Sequence, residues 1–350
     1  MHYFRCNIPR HRRALRQRGA ALVVAMLVFA LATALVVAMK SEFTRFYQRS
    51  ANTLLEEQAQ AYLRGAEDLA GMVLLLDYDN DKANGQARDD LKEVWNPEEP
   101  KSYPLDDIGW MSGKLEDLQG RFNLNLLAER VAPNPASPAT SRFTAAQKQF
   151  IRLLQAVGEQ PISEQEAIMI TESVSDWLDA DPTPSQDGAE DEYYSAQAPA
   201  YRAGNRKMSS VSELRAVAHM TPQIYQDLVP WVTVLPEGTK LNIHTAPAMV
   251  LRTINADDDL SPLSVQEGEA LEAYRLDKGF ADKNDFLDNP VFAQKKDRMA
   301  GIMQQLDQYT NYFLLEATVE VAGRNMRLYS VLERSNNRSI SALARANGSL

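Results

Sequence analysis

The chain has 350 residues with 37 basic and 47 acidic side chains, a formal net charge of −10 and 45% hydrophobic residues. That acidity argues against a general binder of nucleic acid or anionic lipid, whose affinity comes from Lys and Arg neutralising phosphates. The single cysteine, Cys6, excludes an internal disulfide, so the fold has to be held by its core or by metal.

Six arginines (Arg5, Arg10, Arg12, Arg13, Arg16 and Arg18) and no acidic residue occupy the first 19 positions. From Ala20 to Met39 there is no charge, and the one side-chain hydroxyl is that of Thr33. Such a run meets the requirement of about 20 apolar residues for one helical membrane span. Beyond it the chain opens with mixed Lys40, Glu42 and Arg45, so the arginine excess predicts a cytoplasmic N-terminus and places the bulk of the chain outside. A secretory signal would have an apolar region of about 7–15 residues ending in a small-residue cleavage site. Here the run is longer, and the small residues Gly19-Ala20-Ala21 stand before it.

The order of basic leader, glycine and apolar helix resembles that of type IV prepilins and pseudopilins. The resemblance implies a leader over 1–19, cut by a prepilin peptidase between Gly19 and Ala20, with Ala20 N-methylated as the new first residue. Most pilins carry a glutamate at the fifth mature position, which pairs with a neighbouring subunit's N-terminal amine; here Val24 stands there. A carboxylate in hydrocarbon is costly unless paired, so Val24 implies a subunit with no neighbouring amine to meet. Among type II secretion pseudopilins the chain is similar to the general secretion pathway protein K family, which lacks that glutamate. The resemblance implies a minor pseudopilin at the tip of the periplasmic pseudopilus, partnered by minor pseudopilins I and J and the other pseudopilins of the fibre. It would be needed for assembly and for export of folded proteins, and would sit as a single-pass protein in the inner membrane with its C-terminal domain in the periplasm.

About 310 residues follow the span, more than one typical domain, which predicts two subdomains. Removing the leader's six arginines leaves 31 basic against 47 acidic residues, a mature charge near −16. Phe43, Tyr47, Ala51, Leu54, Tyr62, Ala66, Leu69, Val73 and Leu76 recur at roughly three- and four-residue intervals, with no proline between Ala20 and Pro97. One helix is therefore expected to run through the span at 20–39 and continue as a stalk over 40–77. Asp77-Tyr78-Asp79-Asn80-Asp81 is expected to end it as a polar loop. Residues 78–131 read as the first part of an antiparallel sheet, with short strands near Leu91, Val94 and Trp95 and over 115–125, and a turn at Gln119-Gly120.

A proline-rich joint at 132–138 opens a block over 132–310 in which helical periodicity dominates. Helices are expected over 144–157, then 168–178 behind a capping box at Ser163-Glu164-Gln165-Glu166, then 212–219, 222–229, 246–254, 264–276 and 297–306. Residues 311–334 read as a hairpin turning at Ala322-Gly323-Arg324-Asn325, with Leu315, Ala317, Val319 and Val321 on one face. Strands before and after a helical block predict an α+β fold: a pilin-like long N-terminal helix and an antiparallel sheet, interrupted by a large α-helical insertion domain. The protein K resemblance implies the same organisation. Residues 335–350 are polar and are expected to form a disordered tail.

The segment 176–193 carries seven carboxylates and no Lys or Arg beside Trp177, Tyr193 and Tyr194. A hard cation relieves such repulsion, since Ca²⁺ takes six to eight oxygen ligands. Asp179, Asp181, Thr183, Asp187 and Glu190 fall at positions 1, 3, 5, 9 and 12 of an EF-hand-like count, but Pro184 stands where that loop needs glycine. The phrase Asp176-Trp177-Leu178-Asp179-Ala180-Asp181, with Gly188-Ala189-Glu190-Asp191, is similar to the acidic loop of the protein K family. That similarity implies a structural calcium site drawing on Asp179, Asp181, Thr183, Asp187, Glu190 and Asp191.

No enzyme is expected. His2, His11, His219 and His244 have no metal-ligand spacing, and there is no Gly-x-Ser-x-Gly, phosphate-cradling loop or mature cysteine. The rival function is a membrane-anchored periplasmic helix-hairpin-helix protein that binds nucleic acid, because 238–247 looks like the opening of such a module. Yet 252–262 contains Asp257-Asp258-Asp259 and no glycine, which would repel a phosphate. Asn242 and Thr245 are read instead as helix caps, and no nucleic-acid partner is expected.

Overall fold

The computed structural model describes residues 17–85, 88–97, 99, 101–105, 109–131, 142–335 and 338–348. The leader up to Arg16, with Cys6, His2 and His11, and the proline-rich joint at 132–138 lie outside the described residues. The chain divides into two units, one up to Ala61 and one from Tyr62 onward.

α1 is one helix, Gln17–Asn84. In the first unit every described side chain from residue 19 to 49 is exposed, and Thr33 returns its hydroxyl to the Phe29 carbonyl at 2.8 Å, so the apolar run has no unsatisfied side-chain polar group. In the second unit the helix buries Leu63, Ala66, Ala70 and Leu74. Of the face read from the sequence only Ala66 is fully buried, whereas Phe43, Tyr47, Leu54 and Leu76 are exposed. The buried stripe sets Ala66 and Ala70 between Leu63 and Leu74, so that the helix lies close at its alanines and fills the gap at either side with leucine. The helix also runs on through the expected loop at 77–81. It stops at Gly85, whose φ of +66 is the left-handed conformation that ends helices.

After α1, residues 88–97 are turns rather than strand, and Trp95 is buried edge-on against Phe313 with ring centroids 5.3 Å apart. β1 (Ser102–Leu105) and β2 (Gly109–Asp117) follow. The helical block then contains β3 (Phe122–Asn123), α2 (Ala145–Ala156), α3 (Glu164–Leu178), α4 (Asp191–Ser195), α5 (Pro222–Leu228), β4 (Val232–Thr233), β5 (Leu241–Asn242), α6 (Ala248–Leu251), α7 (Val265–Asp277), α8 (Lys283–Leu287), α9 (Ala300–Met303) and β6 (Leu306–Asp307). β7 (Tyr312–Val321), β8 (Arg324–Ser335) and β9 (Ser339–Ala346) close the described chain.

The main sheet is antiparallel in the order β1-β2-β7-β8-β9. β2 and β7 are direct neighbours, with Asp117 opposite Phe313, so the helical block leaves and re-enters the sheet at one place. Phe313, Leu315, Ala317, Val319 and Val321 alternate into the core, as the pattern predicts. Ala322 and Gly323, at φ 49 and 75, make the two-residue left-handed turn whose twist suits a hairpin.

Two expectations need correction. Residues 339–346 are an edge strand, not a disordered tail: Arg345 pairs with Glu67 of α1 at 2.7 Å, and Ile340 lies over Gly71. The strand's small alanines and serines gave no hydrophobic signal, so its pairing comes from backbone bonds to β8. Residues 118–131 belong to the helical block rather than the sheet, because Phe122, Leu124 and Leu127 sit in one core with Phe150, Ile151, Val174 and Trp177. A second core gathers Leu241, Val250, Leu271, Phe280, Phe286, Phe292 and Leu306. Each core is crossed by a two-residue parallel pair, β3 with β4 and β5 with β6. The capping box ahead of α3 is present, with Ser163 N donating to Glu166 and Glu166 N donating to Ser163. The helices expected at 246–254 and 297–306 shrink to α6 and α9, and 212–219 becomes a 3₁₀ turn, Val211–Ala216.

Where the block meets the sheet the contacts are polar and buried. Arg334 of β8 forms ion pairs with Asp77 of α1, at 3.1 Å, and with Asp89. Removing one member of a buried pair leaves an uncompensated charge and typically costs about 3–5 kcal/mol. Arg334→Met is therefore expected to lower the free energy of urea unfolding by roughly that amount. A loss of less than about 1 kcal/mol, the worth of an exposed pair, would show that the pair is dispensable.

Candidate metal centre and anchoring segment

Among the described residues one helix is long and apolar enough to cross a membrane, and its most apolar stretch has no buried residue. A Cβ built on Gly19 meets nothing within 4 Å, and the residue is helical with no left-handed φ. Nothing in the fold therefore requires a glycine there. Val24 is exposed on the same helix.

The acidic segment begins at the C-terminal end of α3. Asp176 is fully buried, and it accepts from Ser185 N at 3.0 Å and Ser185 Oγ at 2.7 Å. Gly188 is required at this point, because a Cβ would collide with the Asp176 carboxylate. Arg130, from the segment preceding α2, forms ion pairs with Asp176, with Asp179 at 2.6 Å and with Asp181 at 3.5 Å. A second arginine, Arg142, pairs with Glu172 at 3.4 Å and Asp187 at 3.0 Å.

Glu190 is the exception. It is 4% exposed, and neither of its carboxylate oxygens has a hydrogen-bond partner. Burial, with the negative charges of Asp176 and Asp179, pushes its pKa up to about 7. Burial likewise raises Asp176 and Asp179, partly offset by hydrogen bonds from Ser185 to the first and by Arg130 acting on the second. Asp176, Asp179 and Glu190, when all are ionised, carry three negative charges against the one positive charge of Arg130, an excess of two. An oxygen-only donor set with that excess, and with an unpaired buried carboxylate, fits a hard divalent cation.

Of the residues named from the sequence, Asp179 and Glu190 lie near enough, with Asp176, which the loop count passed over, for the two aspartate charges to raise the Glu190 pKa. The three do not gather their oxygens within 4.8 Å of one another. Asp181 is half-exposed and accepts from Thr183 N at 2.8 Å. The Thr183 carbonyl takes a bond from Arg130 at 3.3 Å. Asp187 is turned to Arg142, and Asp191 accepts from Ala203 N at 2.9 Å. The signal for Asp176 was its place in α3, three residues before Asp179 and so on the same helical face. Trp177, Tyr194 and Tyr201 cluster beside the loop, Trp177 and Tyr194 meeting edge to face with ring centroids 5.2 Å apart and Tyr201 tilted against both.

A second carboxylate group was read only as a loop. Asp77, Asp81, Asp89 and Glu93 offer oxygens all within 4.8 Å of one another. Burial raises Asp77 to about 7, Asp81 to about 6 and Glu93 to about 8, with neighbouring carboxylates adding to each. Arg334 stands among them.

Asn242 and Thr245 do not cap a helix. Asn242 Nδ2 donates to the Asp89 carbonyl at 3.0 Å, to Asp117 at 3.2 Å and to Thr310 at 2.9 Å, and Thr245 donates to Asp117. Asp257 caps α9 by accepting from Gly301 N and Ile302 N, and Asp258 pairs with Arg298. The residues of the module-like stretch are thus engaged within the fold.

The family model for type II secretion system (T2SS) protein K matches residues 120–237. A type II secretion system protein K of Pseudomonas aeruginosa is 33% identical, covering 95% of this chain and 93% of that protein. One from Klebsiella pneumoniae is 31% identical, over 91% and 93%. Among solved structures, the GspK-GspI-GspJ complex of the enterotoxigenic Escherichia coli type 2 secretion system contains a chain similar to this one. The TM-score is 0.71 at 27% identity, covering 86% of this chain and all of that one.

Because the folded chain keeps a proton on Glu190 up to about pH 7, while an unfolded chain releases it near an ordinary glutamate value, stability falls as pH rises between the two. In chelator, the parent is expected to lose melting temperature from pH 5 to pH 8 more steeply than Glu190→Gln. Equal slopes would mean that Glu190 does not titrate this way.

Proposed function

Since this chain belongs to the protein K family of type II secretion systems, we propose that it is a minor pseudopilin capping the tip of the periplasmic pseudopilus. The observation that carries the reading is α1, a membrane-length apolar helix continuing without a break into the folded unit and bearing Val24 at the fifth position after Gly19. In this reading the arginine-rich leader stays cytoplasmic, a prepilin peptidase cuts between Gly19 and Ala20, and Ala20 is methylated. α1 packs among the helices of the fibre, and Val24 leaves no carboxylate for the amine of a subunit above. The solved relative was crystallised with GspI and GspJ, which supports minor pseudopilins I and J as partners here. The role is structural rather than catalytic.

The acidic loop holds calcium in this reading, with Asp176, Asp179 and Glu190 as side-chain ligands. The ion would neutralise the excess charge that Arg130 leaves and fix the loop onto the aromatic cluster of Trp177, Tyr194 and Tyr201.

Two experiments test these statements. In a host with a prepilin peptidase, the purified chain is expected to begin at Ala20 and to be heavier by one methyl group, while Gly19→Val keeps the precursor mass. Normal maturation of Gly19→Val would refute the leader assignment. Calcium added to chelator-treated protein is expected to stabilise the parent by about 2.7 kcal/mol at a hundred-fold excess over Kd, and to leave Glu190→Gln and Asp179→Ala almost unchanged. An undiminished response in both variants would move the ion elsewhere.

A further inference from the structure

A cavity of about 40 Å³ lies between the turn after α1 and the end of α7, lined by Arg88, Asp90, Lys92, His244, Arg275 and Lys278. In a chain of net charge −10 this concentration of cations is an exception. Counting Glu272, which pairs with Arg275 at 3.1 Å, four cations face two carboxylates. Lys92 Nζ donates to the Leu276 carbonyl at 2.8 Å, Arg88 to that of Phe280 at 2.8 Å, and Arg275 to that of Ala246. Those bonds orient the cations; Asp90 pairs with Arg88 at 3.2 Å and Glu272 with Arg275, so the excess charge is that of Lys92 and Lys278, the latter lying over the Tyr274 ring.

His244 is 2% exposed, and its Nε2 has no hydrogen-bond partner; neither has Nε of buried Arg275. Burial keeps the imidazole neutral, its pKa down at about 4, and its ring bonds the Gln308 side chain. That bond raises the pKa against the larger effect of burial, as a ring N–H donating to the Gln308 amide oxygen does, so the neutral ring adds no charge to the cavity. The volume holds roughly three water-sized atoms, at about 10–15 Å³ each, which is the size of a carboxylate and less than that of a phosphate. We propose that this cavity binds a carboxylate group, with Arg275 Nε as donor, Lys92 and Lys278 supplying the charge, and His244 in the cavity wall. The group could belong to a free organic acid or to an acidic side chain of a partner protein.

The test is ¹⁵N-histidine NMR of the full chain in detergent, titrated with sodium acetate at ionic strength held constant with sodium chloride. The His244 Nε2 resonance is expected to shift saturably, and Lys92→Gln and Lys278→Gln are each expected to raise Kd by roughly five-fold, the effect of about 1 kcal/mol. A peptide, acetyl-Ala-Glu-Ala-amide, separates the sources: tighter binding than acetate assigns a partner's side chain, equal or weaker binding a free acid. No saturable shift with either probe, a shift unaltered in both variants, or saturation by phosphate and not by acetate would each overturn the proposal.

Discussion

The buried polar hub around Arg334, Asp89 and Asp117 is the constraint on which the rest of the folded unit depends. An insertion of nearly two hundred residues leaves the sheet after Asp117 and returns at Tyr312, and these ends must be held side by side for β2 and β7 to pair. Asp117 Oδ2 accepts from Asn242, Thr245 and Thr310. Gln119 donates to the carbonyls of Lys240 and Tyr309 at 3.0 Å each, and accepts from Asn311 N. Asp89 accepts from Thr310 N at 2.7 Å as well as from Arg334. Each group is buried, so each would be costly if unpaired. The network therefore forms only when the outgoing strand, the returning strand and the turn at Asn242 are all in register.

The same hub fixes where α1 ends. Asp77 reaches Arg334 from the helix, and Arg338, just before β9, pairs with Asp79, so the last turns of α1 are tied to β8 and to the edge of the sheet. Asp77 to Asp81 could not be recognised as helix from the sequence, because three aspartates beside an asparagine oppose helix propensity in isolation. Their partner, Arg334, lies some 250 positions away in the chain. Tertiary charge pairing overrode the local preference.

Legibility followed periodicity. The β7–β8 hairpin, α2, α3 and α7 carry full apolar repeats or complete capping boxes, and their positions could be read closely. β9, the short pairs β3–β4 and β5–β6, and the burial stripe of α1 could not. The first has few large side chains, the pairs have two residues a strand, and in α1 the alanines that approach the sheet are outnumbered by larger residues facing away. In the acidic segment the residue types were legible, but their grouping was not. A linear EF-hand count assumes a loop that curls about one centre, whereas Asp176 comes from the last turn of α3 and Asp179 from its C-cap, and the arginines that sort the rest, Arg130 and Arg142, lie outside the segment.

The two carboxylate clusters show why an excess of acid does not by itself specify a metal. Around Arg334 the buried oxygens of Asp77 and Asp89 are met by guanidinium and amide donors, and the raised pKa values of Asp77, Asp81 and Glu93 let protons relieve the remaining repulsion near neutral pH. That cluster is closed by chemistry the chain already contains. In the acidic loop Arg130 is spread over Asp176, Asp179 and Asp181, and no donor reaches Glu190. A proton can occupy Glu190 below about pH 7, but it satisfies only one oxygen and leaves the other without a donor. A cation shared by Glu190, Asp179 and Asp176 would satisfy the oxygens together, and the difference between the clusters lies in that single unpaired side chain rather than in the number of acids.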